Sequence, residues 1–129
     1  MTEQMSVKIA ALPSLRLTVE AHGLMAKKAL GQNFLLDQNI TDKIINLSLQ
    51  KQNKKDFSGA NVFEVGPGPG GLTRAVLAAE PKSLTVVEMD ERCIAIMNEI
   101  KEKTGDILHI INGDAMQTDF SVLAPAPRH

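Results

Sequence analysis

The chain contains neither tryptophan nor tyrosine, so it offers no such ring on which a nucleobase could stack. It has one cysteine, Cys93. That excludes an internal disulfide and any metal site built from cysteines, and it suits a reducing cytoplasm. No apolar run is long enough to span a membrane, and the N-terminus lacks a basic region followed by a hydrophobic stretch, which predicts no export signal. Excess charge is missing too: fourteen basic residues face fifteen acidic ones, for a formal net charge of -1. Nothing in that balance draws the whole chain to nucleic acid or membrane, although a local basic patch is compatible with it. What the chain does have is apolar material. Hydrophobic residues make up 43% of 129 positions, enough for one soluble, packed domain and no more than one.

Pro13 precedes a short helix over 14–22, in which Leu15 and Val19 share a face and Gly23 can end the helix. The stretch before it reads as a loose start. Asp37 or Thr41 can cap a second helix whose apolar stripe is Ile40, Ile44, Ile45, Leu47 and Leu49. Three units of strand, turn and helix follow. The strands are expected at 62–65, 84–88 and 107–111, and the helices between them at 72–79 and 91–103, the first stopped by Pro81. Such alternation predicts an α/β fold, with a parallel sheet and right-handed crossovers. The tail 124–129, with Pro125 and Pro127, reads as a loop.

Three strand ends carry the chemistry. The first strand runs into Glu64-Val65-Gly66-Pro67-Gly68-Pro69-Gly70-Gly71, where Gly66, Gly68 and Gly70 let backbone N–H groups and a helix N-terminus approach a ligand. An ordinary glycine loop would use the same residues, and Gly66, Gly68 and Gly71 also satisfy a dinucleotide fingerprint. Glu64 separates the possibilities. A carboxylate near the strand's carboxyl end would repel a pyrophosphate, whereas it suits the ammonium and sulfonium of S-adenosylmethionine. Glu88, about 20 residues beyond the turn, can accept from both hydroxyls of a ribose. Asp90 is better read as the N-cap of the next helix. After the third strand, Asp114 can accept from an adenine amino group, with Ala115 and Met116 as apolar walls. Gly-Asp is also a common turn, so the weight lies in position: three successive strands end in groups suited to parts of one adenosyl ligand. His109 and Cys93 have no partners that would suggest a triad or a metal site.

Gly31-Gln32-Asn33-Phe34-Leu35 ahead of the sheet, Glu-Val-Gly-Pro-Gly-x-Gly-x-Leu-Thr from Glu64 to Thr73, and Gly113-Asp114-Ala115-Met116 resemble, in order and spacing, the motifs of the bacterial ribosomal-RNA adenine dimethyltransferases. Residues 12–24 look like a leader found in some members. The resemblance covers nearly the whole chain. It implies the N-terminal portion of a Rossmann-like class I S-adenosylmethionine-dependent methyltransferase, with a helix and cofactor-covering motif in 1–36 and the front of the cofactor domain in 37–129.

The resemblance further implies that residues matching Asn33, Leu35, Gly66, Glu88 and Asp114 hold S-adenosylmethionine, within a candidate set of Gln32, Asn33, Leu35, Glu64, Gly66, Gly68, Gly70, Glu88, Met89, Asp114 and Ala115. Members of the family dimethylate N6 of two adjacent adenosines in a hairpin near the 3′ end of small-subunit ribosomal RNA, acting on the immature 30S subunit. Lys27 and Lys28 are candidate phosphate contacts, though solvated lysines look the same in sequence. A nicotinamide-binding oxidoreductase, a non-catalytic binding protein on the same fold, and a large-subunit methylase of the antibiotic-resistance type are the alternatives. The family's catalytic Asn-Leu-Pro-Tyr, which follows a fourth strand, occurs nowhere in the 129 residues. Its expected place is beyond His129, about where that strand would begin, so no catalytic residue is assigned within the chain. The expectations that follow are no methyl transfer by this chain alone, weak RNA binding, marginal stability, and a first strand left open on the side where the fourth would pair.

Overall fold

The computed structural model describes residues 4–24, 37–114 and 116. Among these the elements are α1 (Met5–Ala10), α2 (Leu15–Ala21), α3 (Gln38–Lys51), β1 (Asn61–Val65), α4 (Gly71–Ala78), β2 (Ser83–Glu88), α5 (Glu91–Thr104) and β3 (Leu108–Asn112). The strands form one parallel sheet in the order β1-β2-β3, as the strand and helix alternation predicts. Register pairs Val65 with Val87 and Glu88 with Asn112, so the three strands end nearly level along one edge. Among the described residues β1 has one neighbour, β2. The tail 124–129, expected as a loop and ending at His129, lies outside the described residues.

Apolar residues fix the layers. Leu84, Val86 and Val87 of β2, Leu108 of β3, Leu77 of α4 and Ile96, Met97 and Ile100 of α5 are almost wholly buried. Helix α5 packs on β2 and β3, α3 packs on α4, and α1 touches both α4 and α5. At roughly 25 cal/mol per Å² of apolar area removed from water, this cluster is the main source of stability.

Caps explain several boundaries. Ser14 caps α2, its hydroxyl accepting from the Leu17 N–H at 3.2 Å, and Leu15 and Val19 are buried as their spacing requires. Asp37, not Thr41, caps α3 by accepting from the Asn39 N–H at 2.9 Å. The stripe expected on α3 is corrected in part. The buried positions are Thr41, Ile45 and Leu49, whereas Ile44 and Leu47 are 52% and 54% exposed. Steps of four keep one row facing α4, and a hydroxyl that bonds the Gln38 carbonyl can occupy that row as well as an isoleucine. Helix α1 lies where a loose start was expected. It buries no residue fully, and Met5 and Ile9 lie only against the rim of the core, so its pattern is faint.

Candidate functional site

The carboxyl edge of the sheet is where backbone direction and side-chain chemistry converge. The ladder continues one step past β1, with the Gly66 N–H donating to the Val87 carbonyl at 2.9 Å, and past β3, with the Gly113 N–H donating to the Glu88 carbonyl at 3.0 Å. Gly66, Glu88 and Gly113 are thereby held side by side.

The glycine turn divides into two kinds of glycine. Gly66 and Gly68 have φ of 64° and 56°, and a Cβ added at either would meet nothing within 4 Å. Both need glycine for conformation, and both leave an open surface over the turn. Gly70 differs from what its place in the motif suggests. Its φ is 94°, its N–H is used by the Pro67 carbonyl at 3.0 Å, and a Cβ there would lie 2.9 Å from Ile100 Cδ1 and 3.0 Å from Met97 Cε. Its missing side chain faces the core and lets α4 and α5 approach.

Glu88 closes the turn from the second strand. One carboxylate oxygen accepts from the Gly68 N–H at 3.3 Å, and the other from the Met89 and Asp90 N–H groups at 2.9 and 3.0 Å. A carboxylate has about four lone-pair positions, so acceptor capacity is left for a ligand hydroxyl. Glu64 lies partly buried beneath the turn, and Thr73 Oγ1 of α4 donates to it at 2.6 Å. Burial pushes its carboxyl up to about 7, the Thr73 hydroxyl works against that rise, and the nearby Glu88 charge adds to it. At neutral pH, therefore, Glu64 is poised between acid and carboxylate, and a cation beside it would favour the charged form.

Asp90 serves as the N-cap of α5, accepting from the Arg92 N–H at 2.8 Å and from its guanidinium at 3.2 and 2.9 Å. The Arg92 side-chain and backbone hydrogen bonds hold its carboxyl down at about 2. Met89 is exposed on the same edge. At the third strand end an Asp114 oxygen accepts from the Met116 N–H at 2.9 Å. Gln32, Asn33, Leu35, Ala115, Lys27 and Lys28 lie outside the described residues, as does His129. Cys93 is buried in α5, and burial raises its thiol to about 11, so it is unreactive. His109 is exposed on β3, and among the described residues no cluster of His, Cys, Asp or Glu could hold a metal.

Two residues of this region carry no role in the sequence argument. Thr73, visible there only as the last letter of the glycine motif, is the partner of Glu64. Gln38 ties α3 to the start of α4, its amide donating toward the Gly71 carbonyl at 3.1 Å. A glutamine on an amphipathic helix gives no signal for that.

A parallel sheet whose strands end in an open glycine turn, an acid held against that turn and a Gly-Asp pair defines the front of the Rossmann-like class I S-adenosylmethionine-dependent methyltransferase fold. Solved structures agree on the fold. A candidate RNA methyltransferase from Pyrococcus horikoshii superposes with a TM-score of 0.58 at 16% identity, covering 92% of this chain and 54% of that one. The N-terminal domain of EvdMO1, solved with S-adenosylhomocysteine bound, gives 0.55 at 14% identity over 87% and 50%. The family is narrower than the fold: the chain belongs to the ribosomal RNA adenine dimethylase family, whose model matches residues 23–125. A small-subunit ribosomal RNA methyltransferase A from Allorhizobium ampelinum is 51% identical over 114 residues, covering 88% of this chain and 39% of the relative. The chain thus spans about two fifths of the length of such relatives.

Proposed function

We propose that this chain binds S-adenosylmethionine along the carboxyl edge of the sheet. Within the longer proteins of its family, it would serve the dimethylation of N6 on two adjacent adenosines of small-subunit ribosomal RNA, in the cytoplasm and on the immature 30S subunit. The observation that carries the cofactor assignment is Glu64, a carboxyl held near neutrality under an open glycine turn. A pyrophosphate would be repelled there, whereas a cationic ligand would be drawn in as Glu64 loses its proton. The donor set fits the rest of the ligand. Glu88 has acceptor capacity for a ribose hydroxyl, exposed Met89 offers an apolar wall, and Asp114 is the candidate acceptor for an adenine amino group.

When bound, S-adenosylmethionine supplies an electrophilic methyl group on its sulfonium. The chain's own contribution is to orient the nucleoside through Glu88, to match the ligand's positive charge through Glu64, and to keep the turn open through Gly66 and Gly68. The small-subunit RNA assignment draws on the family and on relatives named for that substrate.

Calorimetry decides the cofactor. S-adenosylmethionine or its demethylated product should bind more tightly than NAD, and affinity should rise with pH through about 7 as Glu64 ionises. Tighter binding of NAD would overturn the assignment.

A further inference from the structure

A cavity of about 500 Å³ opens between α1, the start of α2, α3 and α4. It adjoins the glycine turn through Gln38, whose amide donates to the Gly71 carbonyl. Thr73 of α4 bonds to Glu64 on β1, whereas the next residue, Arg74, turns toward α2, where one of its terminal nitrogens donates to Thr18 Oγ1 at 3.3 Å. Arg74 is only 5% exposed, and its buried Nε–H has no acceptor among the described residues. Among the described residues the ion pairs are His22–Glu99, Arg92–Asp90 and Lys101–Asp106, so Arg74 has no carboxylate partner there. A guanidinium is rarely buried without a counter-charge.

The other polar lining completes the pattern. Arg16 also lines the cavity, and Asp42 is the one acid there among the described residues, already accepting from the Gln38 amide at 3.0 Å. Two arginines and one acid that is already hydrogen-bonded therefore line it. Ser6 and Ser14 add hydroxyls. Gln38 directs its amide nitrogen at Thr41, Asp42 and Gly71, and its buried Oε1 has no donor among the described residues. Negative oxygens suit the arginines, and a hydroxyl donor beside Gln38 suits its Oε1. A carboxylate brings only the first. Hydrogenphosphate brings both, and a ribonucleotide brings the oxygens on its phosphodiester and the O–H on its ribose, for which the volume has room.

We propose that this cavity is a binding site for one phosphate group, with Arg74 as its principal counter-charge and Arg16, the two serine hydroxyls and Gln38 Oε1 as its further contacts. The source is either free phosphate or a ribonucleotide of an RNA strand, and only the latter rests on the function proposed above.

The arginine Nε–H signals of the nitrogen-15-labelled 129-residue chain test this in phosphate-free buffer. Inorganic phosphate should shift, saturably, the one signal that disappears in Arg74→Leu. Arg74→Leu should weaken phosphate binding roughly tenfold or more, and Arg16→Gln, an exposed change that leaves the fold intact, about two- to threefold. No shift at millimolar phosphate, or an equal shift with sodium chloride at matched ionic strength, overturns the proposal. So does loss of S-adenosylhomocysteine binding in a folded Arg74→Leu protein, because the cavity would then belong to the cofactor edge. Short RNA that moves the same signal more strongly than DNA of the same sequence identifies the RNA source. RNA that leaves it unmoved while phosphate shifts it identifies free phosphate. Failure of the wild-type chain to bind S-adenosylhomocysteine counts against the proposed function and leaves the phosphate result standing.

Discussion

Thr73 and Arg74 are neighbours on α4, and they lead to two ionisable groups of opposite sign, a partly buried acid and a buried guanidinium, that are not paired with each other. Thr73 donates to Glu64, whose carboxyl is driven up to about 7 by burial. Arg74 is itself buried against α2, and burial drives its guanidinium down from the usual range. Had the two met, each would have neutralised the other, and neither side of the helix would have kept an unspent charge. Keeping them apart costs stability and leaves one side suited to a cation and the other to an anion. Groups perturbed in this way, in crevices, are the usual mark of sites that meet a ligand.

The largest expected effect concerns the acid. Its pKa is raised on folding, so the native state holds the proton more tightly than the unfolded chain does. The stability this confers is full below about 4.5 and is lost as pH rises through about 7. Glu64→Gln abolishes that slope. At pH 8 the variant should be more stable than wild type by up to about 3 kcal/mol in denaturant unfolding, with the difference vanishing near pH 4. A difference independent of pH would mean that Glu64 is not held as an acid.

Next comes the turn that roofs the acid. Gly70→Ala combines a left-handed φ with contact against two buried side-chain ends, and should cost about 2 kcal/mol. Gly68→Ala has open space and only the conformational term, and should cost about 1 kcal/mol. Equal losses would erase the distinction between a glycine packed against α5 and one with open space beside it. For binding, Glu88→Ala should weaken S-adenosylhomocysteine by about 1 to 3 kcal/mol in calorimetry. Unchanged affinity would remove Glu88 from the site. The smallest effect is on the basic side: Arg74→Met fills similar volume without a buried charge, and should raise unfolding stability by about 1 kcal/mol in buffer free of phosphate. A loss instead of a gain would show that the Thr18 bond outweighs the charge, and that the two sides of α4 are not alike.

Legibility in the sequence followed the range of the interactions. The parallel units were legible because each depends on local periodicity and local turn chemistry. Asp90 was legible as a cap because its partner, Arg92, lies two residues away. Gly66 and Gly68 announce an open turn by their type alone. Gly70 looks identical to them in sequence, and its contacts with Met97 and Ile100 arise only once α5 has packed. The exposure of Ile44 and Leu47 was hidden for a related reason, since the row that faces α4 is set by docking and not by which residues are apolar. Arg74 was the least legible. Nothing in Leu-Thr-Arg-Ala-Val marks it out, and its hydrogen-bond partner lies 56 positions earlier, in α2.

The hydrogen bond from the Gly68 N–H to Glu88 makes the turn and the strand end one thermodynamic unit. Any ligand hydroxyl that draws on the same carboxylate oxygen shares it with that amide, so occupancy of the edge and protection of the Gly68 proton from exchange are linked quantities. The backbone amide of a residue with no side chain thus becomes a gauge of whether the neighbouring acid is engaged.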